Sequence, residues 1–133
     1  MQIEWAVIPR GDIHSSQSAI FVTMNPQGVI YLNATAWQRM GEPNAFLLMF
    51  NQRNSLIALK PTAATMKNAY PAGKTGRRNG RSVWALRLLR QYGIKLPDTI
   101  EFKDPEIDQD GQLILDLRTA RVSPRAHSQC RKK

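Results

Sequence analysis

Short alternating or apolar runs, each closed by a turn signal, organise most of the chain. "IEWAVI" (3–8) and "AIFVTM" (19–24) read as strands separated by the polar stretch "PRGDIHSSQS". "NPQG" (25–28) is a turn and "VIYL" (29–32) extends again. Asn33 is placed to cap a short helix, "ATAWQRM", that Gly41 ends. "AFLLMF" (45–50) and "LIALK" (56–60), joined by polar "NQRNS", have the form of a hairpin. Further on, Val83, Leu86 and Leu89 to Tyr92 fall at helical spacing, which predicts a helix over "SVWALRLLRQY" (82–92) stopped by Gly93. "TIEFKD" (99–104) and "QLILDLR" (112–118) alternate as strands around the turn "DQDG" (108–111). The two halves share one order: glycine, extended or helical entry, short helix, glycine stop, strand, turn, strand. Gly41 matches Gly93, and "LIALKP" matches "LILDLR". An internal duplication is therefore expected, with units at about 25–61 and 80–118.

The fold class expected from this order is α+β, β-rich, with two short helices. Residues 1–118 form one compact domain, with a basic connector at 62–81, and 119–133 form a basic flexible tail. A chain of 133 residues buries enough surface to need no metal or disulfide staple. Its one cysteine, Cys130, fits a reducing cytoplasm. No apolar run reaches a membrane span, and "MQIEWAVIPR" has no basic region ahead of its apolar residues, so neither membrane insertion nor secretion is expected.

Charge changes the picture more than composition does. The net charge is +9, and the signs are segregated. Between Glu42 and Asp98 stand ten Lys/Arg and no acid; seven of the ten acids lie from Asp98 to Asp116; six Lys/Arg and no acid follow. Segregation of this kind builds a positive field that favours polyanions. Lys67, Lys74, Arg77, Arg78 and Arg81 are interleaved with Gly73, Gly76, Asn79 and Gly80. Such a segment packs no core, and its expected state is an arm ordered by phosphate contacts. Arg87 and Arg90, three apart on the expected helix, extend the same surface. The competing reading is a linker whose charges only keep it soluble.

Other chemistry is thin. Gly73-Lys74-Thr75 imitates the end of a phosphate-binding P-loop, but Asn68 stands where the first glycine is needed and Pro71 interrupts the stretch. The acidic stretch 98–111 lacks a calcium loop's ligand ladder, broken by Pro105 and Ile107. His14, His127 and Cys130 have no triad or metal-ligand spacing, so neither catalytic residues nor a metal nor a cofactor is expected. Trp37 and Trp84 lie within the expected helices, and core packing is the expectation for both.

"NPQGVIYLNATAWQRMGEPNAFLLMFNQRNSLIALKP" resembles the βαββ unit of the AbrB/MazE/SpoVT swapped-hairpin family. Two such units in one chain are similar to the tandem MraZ arrangement. The resemblance implies a swapped-hairpin barrel, a homodimer or an internal pseudo-dimer, and duplex DNA as the partner of a transcriptional regulator or antitoxin. The family's Gly-Arg pair and following proline are missing at Gly28-Val29 and Asn33, but Gly80-Arg81 keeps the pair. Arg81 is thus the position that carries over as a base contact, with Lys74, Arg77 and Arg78 as phosphate contacts. RNA, or an acidic protein partner, is the alternative ligand for the same cations.

Overall fold

The computed structural model describes Trp5 and residues 19–75 and 79–122. The strand expected at 3–8 and most of the basic tail lie outside the described residues, as do Arg77 and Arg78. The described chain is α+β, with two antiparallel sheets and two short helices. The first sheet comprises β1 (Val22–Met24), β2 (Val29–Leu32), β6 (Gly73–Lys74), β7 (Arg81–Trp84), β8 (Ile100–Glu101) and β11 (Arg121–Val122), in the order β11-β8-β1-β2-β7-β6. The second comprises β3 (Ala45–Asn51), β4 (Leu56–Thr62), β5 (Tyr70–Pro71), β9 (Glu106–Ile107) and β10 (Leu113–Asp116), in the order β5-β3-β4-β10-β9. Helices α1 (Ala34–Arg39) and α2 (Leu86–Tyr92) each follow a strand of the first sheet. The two ladders remain separate: β11 and β6 are edges of one, β5 and β9 of the other.

Local chemistry explains the ends of the elements. At the β1–β2 turn the Asn25 side chain accepts the Val29 N–H at 2.9 Å, and the Gly28 N–H donates to the Asn25 carbonyl. Asn33 caps α1, accepting from the Ala36 N–H at 3.0 Å. The same amide reaches back to β1: its Oδ1 accepts the Phe21 N–H and its Nδ2 donates to the Ala19 carbonyl. Helix α2 closes with the paired bonds of a Schellman cap, Ile94 N–H to Leu89 O and Gly93 N–H to Arg90 O. In the "DQDG" turn, Asp108 accepts the backbone N–H of both Asp110 and Gln112.

One core joins the sheets. Val22, Met24, Ile30, Leu32 and Val83 point inward from the first; Phe46, Ile57, Leu59, Leu113 and Leu115 point inward from the second. Ala36, Met40, Leu88 and Leu89 of the helices close it. Each fully buried aliphatic side chain contributes on the order of 1.5–3 kcal/mol, the favourable side of a balance against chain entropy.

Strands of the first half of the chain pair with strands of the second in both sheets: β2 with β7, Ile30 opposite Val83, and β4 with β10, Leu59 opposite Leu113. Two details differ from expectation. Burial matches Ile57 and Leu59 with Leu113 and Leu115, one residue out of step with "LIALKP" laid on "LILDLR". And the hairpin partner of β10 is β9, while β8 leaves to pair with β1. Pro105, which has no N–H to donate, separates β8 from β9.

Residues 82–84 are strand, correcting the helix expected from 82. Val83 is buried opposite Ile30, and ladder bonds to β2 outweigh a helical spacing that fits equally well. The expected connector at 62–81 holds β5 and β6, and β11 carries the first sheet past the expected boundary at 118.

Candidate nucleic-acid interface

Among the described residues, the expected cations fall on several different elements. Lys74 lies on β6 and Arg81 on β7, directly opposite each other in register. Strand alternation puts both on the side of the sheet that Val83 faces. Arg81 leans over α1, where its guanidinium carbon lies 3.6 Å from the centroid of the Trp37 ring. Trp37 is itself anchored, its Nε1–H donating to the Pro43 carbonyl at 2.8 Å. The Nη1 of Arg81 donates to the carbonyls of Asn79 and Gly80, both at 2.9 Å. Its Nε and Nη2 donors engage no acceptor among the described residues. The outcome is a guanidinium fixed on one face and at one nitrogen, with its other edge free to meet a planar pair of acceptors.

Like charges directly opposed on a hairpin are mutually destabilising. No carboxylate among the described residues neutralises Lys74 or Arg81. Arg118 pairs with Asp116 at 3.4 Å and Arg121 with Glu101 at 3.9 Å, both in the C-terminal stretch. There the Arg118 backbone N–H, then its guanidinium, hold the Asp116 carboxyl below the ordinary aspartate range. Asp116 and Glu101 are thus engaged by arginines of the C-terminal stretch rather than by Lys74 or Arg81.

The remaining expected residues are dispersed. Arg87 and Arg90 stand exposed on α2 and, with Leu86 and Gln91, line an open hollow of about 730 Å³. Lys67 lies on the connection between β4 and β5, by the second sheet. Arg77 and Arg78 fall outside the described residues.

Two features differ from the reading of sequence alone. Gly80 has an architectural reason: a Cβ there would sit 2.6 Å from Tyr31 Cε1 and 2.7 Å from its hydroxyl oxygen, so the Tyr31 ring lies across the glycine. And Trp84, expected in the core, is 70% exposed, because its neighbour Val83 takes the inward position on β7. The alternation Arg81-Ser82-Val83-Trp84 carries that signal once the segment is read as a strand. Trp37, by contrast, is partly buried and packs against the core, as expected.

Among the described residues no group of three His, Cys, Asp or Glu side chains is placed to hold a metal ion, and no helix is long and apolar enough to cross a membrane. Fold and site together define a small two-sheet α+β protein with a pinned arginine beside an unneutralised lysine. No family model, no curated protein and no solved structure matches the chain.

Proposed function

We propose that the chain is a non-enzymatic DNA-binding protein, a transcriptional regulator or antitoxin-like factor, that grips duplex DNA through Lys74, Arg77, Arg78 and Arg81. The single observation that carries this reading is the Arg81 guanidinium held on Trp37 with its Nε/Nη2 edge unpartnered. A fork fixed in advance loses little freedom on meeting two acceptors, which suits guanine in a major groove. Lys74, Arg77 and Arg78 contact phosphates, setting position rather than sequence. Arg87, Arg90 and Lys67 extend the positive field.

The swapped-hairpin architecture belongs to the same proposal. It is supported by the exchange in which β2 pairs with β7 and β4 with β10, so each half completes the sheets of the other. Because both halves lie in one chain, an internal pseudo-dimer accounts for the pairing without a second copy. A soluble cytoplasmic factor with no cofactor fits this reading.

The test is fluorescence anisotropy with a labelled duplex at about 50 and about 200 mM salt. Several phosphate contacts lower affinity about a hundredfold or more between the two. On a site selected from random sequence, Arg81→Ala should relax discrimination at one or two base pairs, each worth about 1–3 kcal/mol. An equal loss on every sequence would remove the base-reading role and leave Arg81 a phosphate contact. No binding at either salt would overturn the reading.

A further inference from the structure

The opposite side of β7 carries a second surface. Ile30, Leu32 and Val83 point into the core, so Val29, Tyr31, Ser82 and Trp84 point outward from the centre of the six-stranded sheet. Thr23, Tyr31, Ser82 and Gly73 stand side by side across four strands. Phe21 packs edge-on to Tyr31, ring centroids 6.4 Å apart, and is itself partly exposed. The Tyr31 ring lies across Gly80, which leaves room for it only by lacking a Cβ. Trp84 lies diagonally across from Tyr31, a separation of about 7–8 Å between strand neighbours of this kind, and presents most of its surface to solvent. Leu86 follows Trp84 by two residues and opens the hollow lined by Arg87 and Arg90.

We infer that this face binds unpaired nucleotides of a single-stranded nucleic acid, with a base stacked on Trp84 and neighbouring phosphates at Arg87 and Arg90. The inference rests on the reading of the chain as a nucleic-acid binder and adds a second mode to it. Charge selects the occupant. A second copy of the chain brings another +9, which repels, whereas a polyanion is attracted. The outward neighbours Thr23 and Ser82 are polar, so the surface is a set of separate aromatic platforms rather than one apolar groove. Platforms of this kind suit bases, every one of which has a flat π-face. Strands hold the rings, so little ordering is needed when a base arrives. Since Arg81 faces the other side of β7, a base on Trp84 leaves the pinned guanidinium undisturbed.

The experiment uses the full chain, Trp84→Ala and Trp84→Phe, each with an oligothymidylate of about twelve nucleotides and with a duplex of unrelated sequence. Binding is read by anisotropy and by tryptophan emission. Expected is quenching by the single strand in the unaltered protein, and an affinity loss of about fivefold to about a hundredfold in Trp84→Ala, smaller in Trp84→Phe. Duplex binding should hold in both variants. Should Trp84→Ala lower the melting temperature strongly, Trp84→Phe and the quenching of the unaltered protein decide. Equal single-strand affinity in all three proteins, or no quenching, overturns the inference, and salt-dependent duplex binding would then leave the DNA reading standing. Binding of neither nucleic acid overturns both.

Discussion

Replacing Gly28 with alanine tests how the two halves are joined. Gly28 has φ +84°, and an added Cβ would sit 2.7 Å from Leu86 Cα and 2.8 Å from Leu86 N. Its carbonyl also accepts the Ala85 N–H at 2.7 Å, so the β1–β2 turn is seated on the start of α2. Two costs follow. The left-handed backbone penalises a Cβ by about 1–2 kcal/mol. The contact is with backbone, which cannot rotate away, and relieving such overpacking costs about 1–3 kcal/mol more. Gly41 supplies the control: its φ is +90°, and a Cβ there meets nothing within 4 Å. Gly41→Ala should therefore show the backbone penalty alone, and Gly28→Ala a total of about 2–5 kcal/mol. Urea unfolding followed by far-ultraviolet circular dichroism separates them. At a slope of about 1–3 kcal/mol per molar urea, the extra cost of Gly28→Ala moves its midpoint below that of Gly41→Ala by several tenths of a molar or more. Equal midpoints at equal slopes would refute the seating of the turn on α2.

Asn33→Ala should destabilise by about 1–3 kcal/mol, more than a simple cap, since it also frees Phe21 N–H and Ala19 O; Asn33→Asp, keeping the acceptor, should lose less in the same unfolding assay. Trp37→Leu should cost about 1–2 kcal/mol of stability through its lost hydrogen bond and its stacking on Arg81. It should also weaken duplex binding, and Arg81→Ala should cost less affinity in that background than alone, as anisotropy would show. For Asp116 the folded pKa is lowered, so its stabilisation is present above the unfolded value and is lost as pH falls through the folded one. The stability gap between the parent and Asp116→Asn should therefore persist at neutral pH and close below about pH 4, measured by thermal melts across that range.

What was legible in the sequence was local. Asn33, Gly41, Gly93, the "NPQG" and "DQDG" turns and the β3–β4 hairpin each depend on a few adjacent residues, and each stands where the residues place it. The segment from 82 to 85 was not legible, since Val83 suits either a helix face or a strand. Its partner Ile30, distant in sequence, decides the matter. The two-residue strands β5, β6, β9 and β11 are too short to carry a period and exist only through their neighbours, while β8 keeps Ile100–Glu101 of the strand expected at 99–104. At the site, the choice of Arg81 over its neighbouring cations came from the Gly-Arg pair. The Trp37 perch that gives Arg81 its fixed pose comes from packing between α1 and β7, which are distant in sequence. The exposure of Trp84 was hidden by the same misread strand.

The exchange of strands between halves also sets a timetable. During synthesis, β2 and β4 can pair at once with β1 and β3, but their other edges stay open, because the strands that cover them, with Val83 and Leu113, lie more than a third of the chain further on. At roughly 5–20 residues per second, those apolar edges wait several seconds before the second half can cover them. Neither half can finish its sheets alone, so the nascent chain is most exposed to aggregation and chaperone capture midway through its own translation.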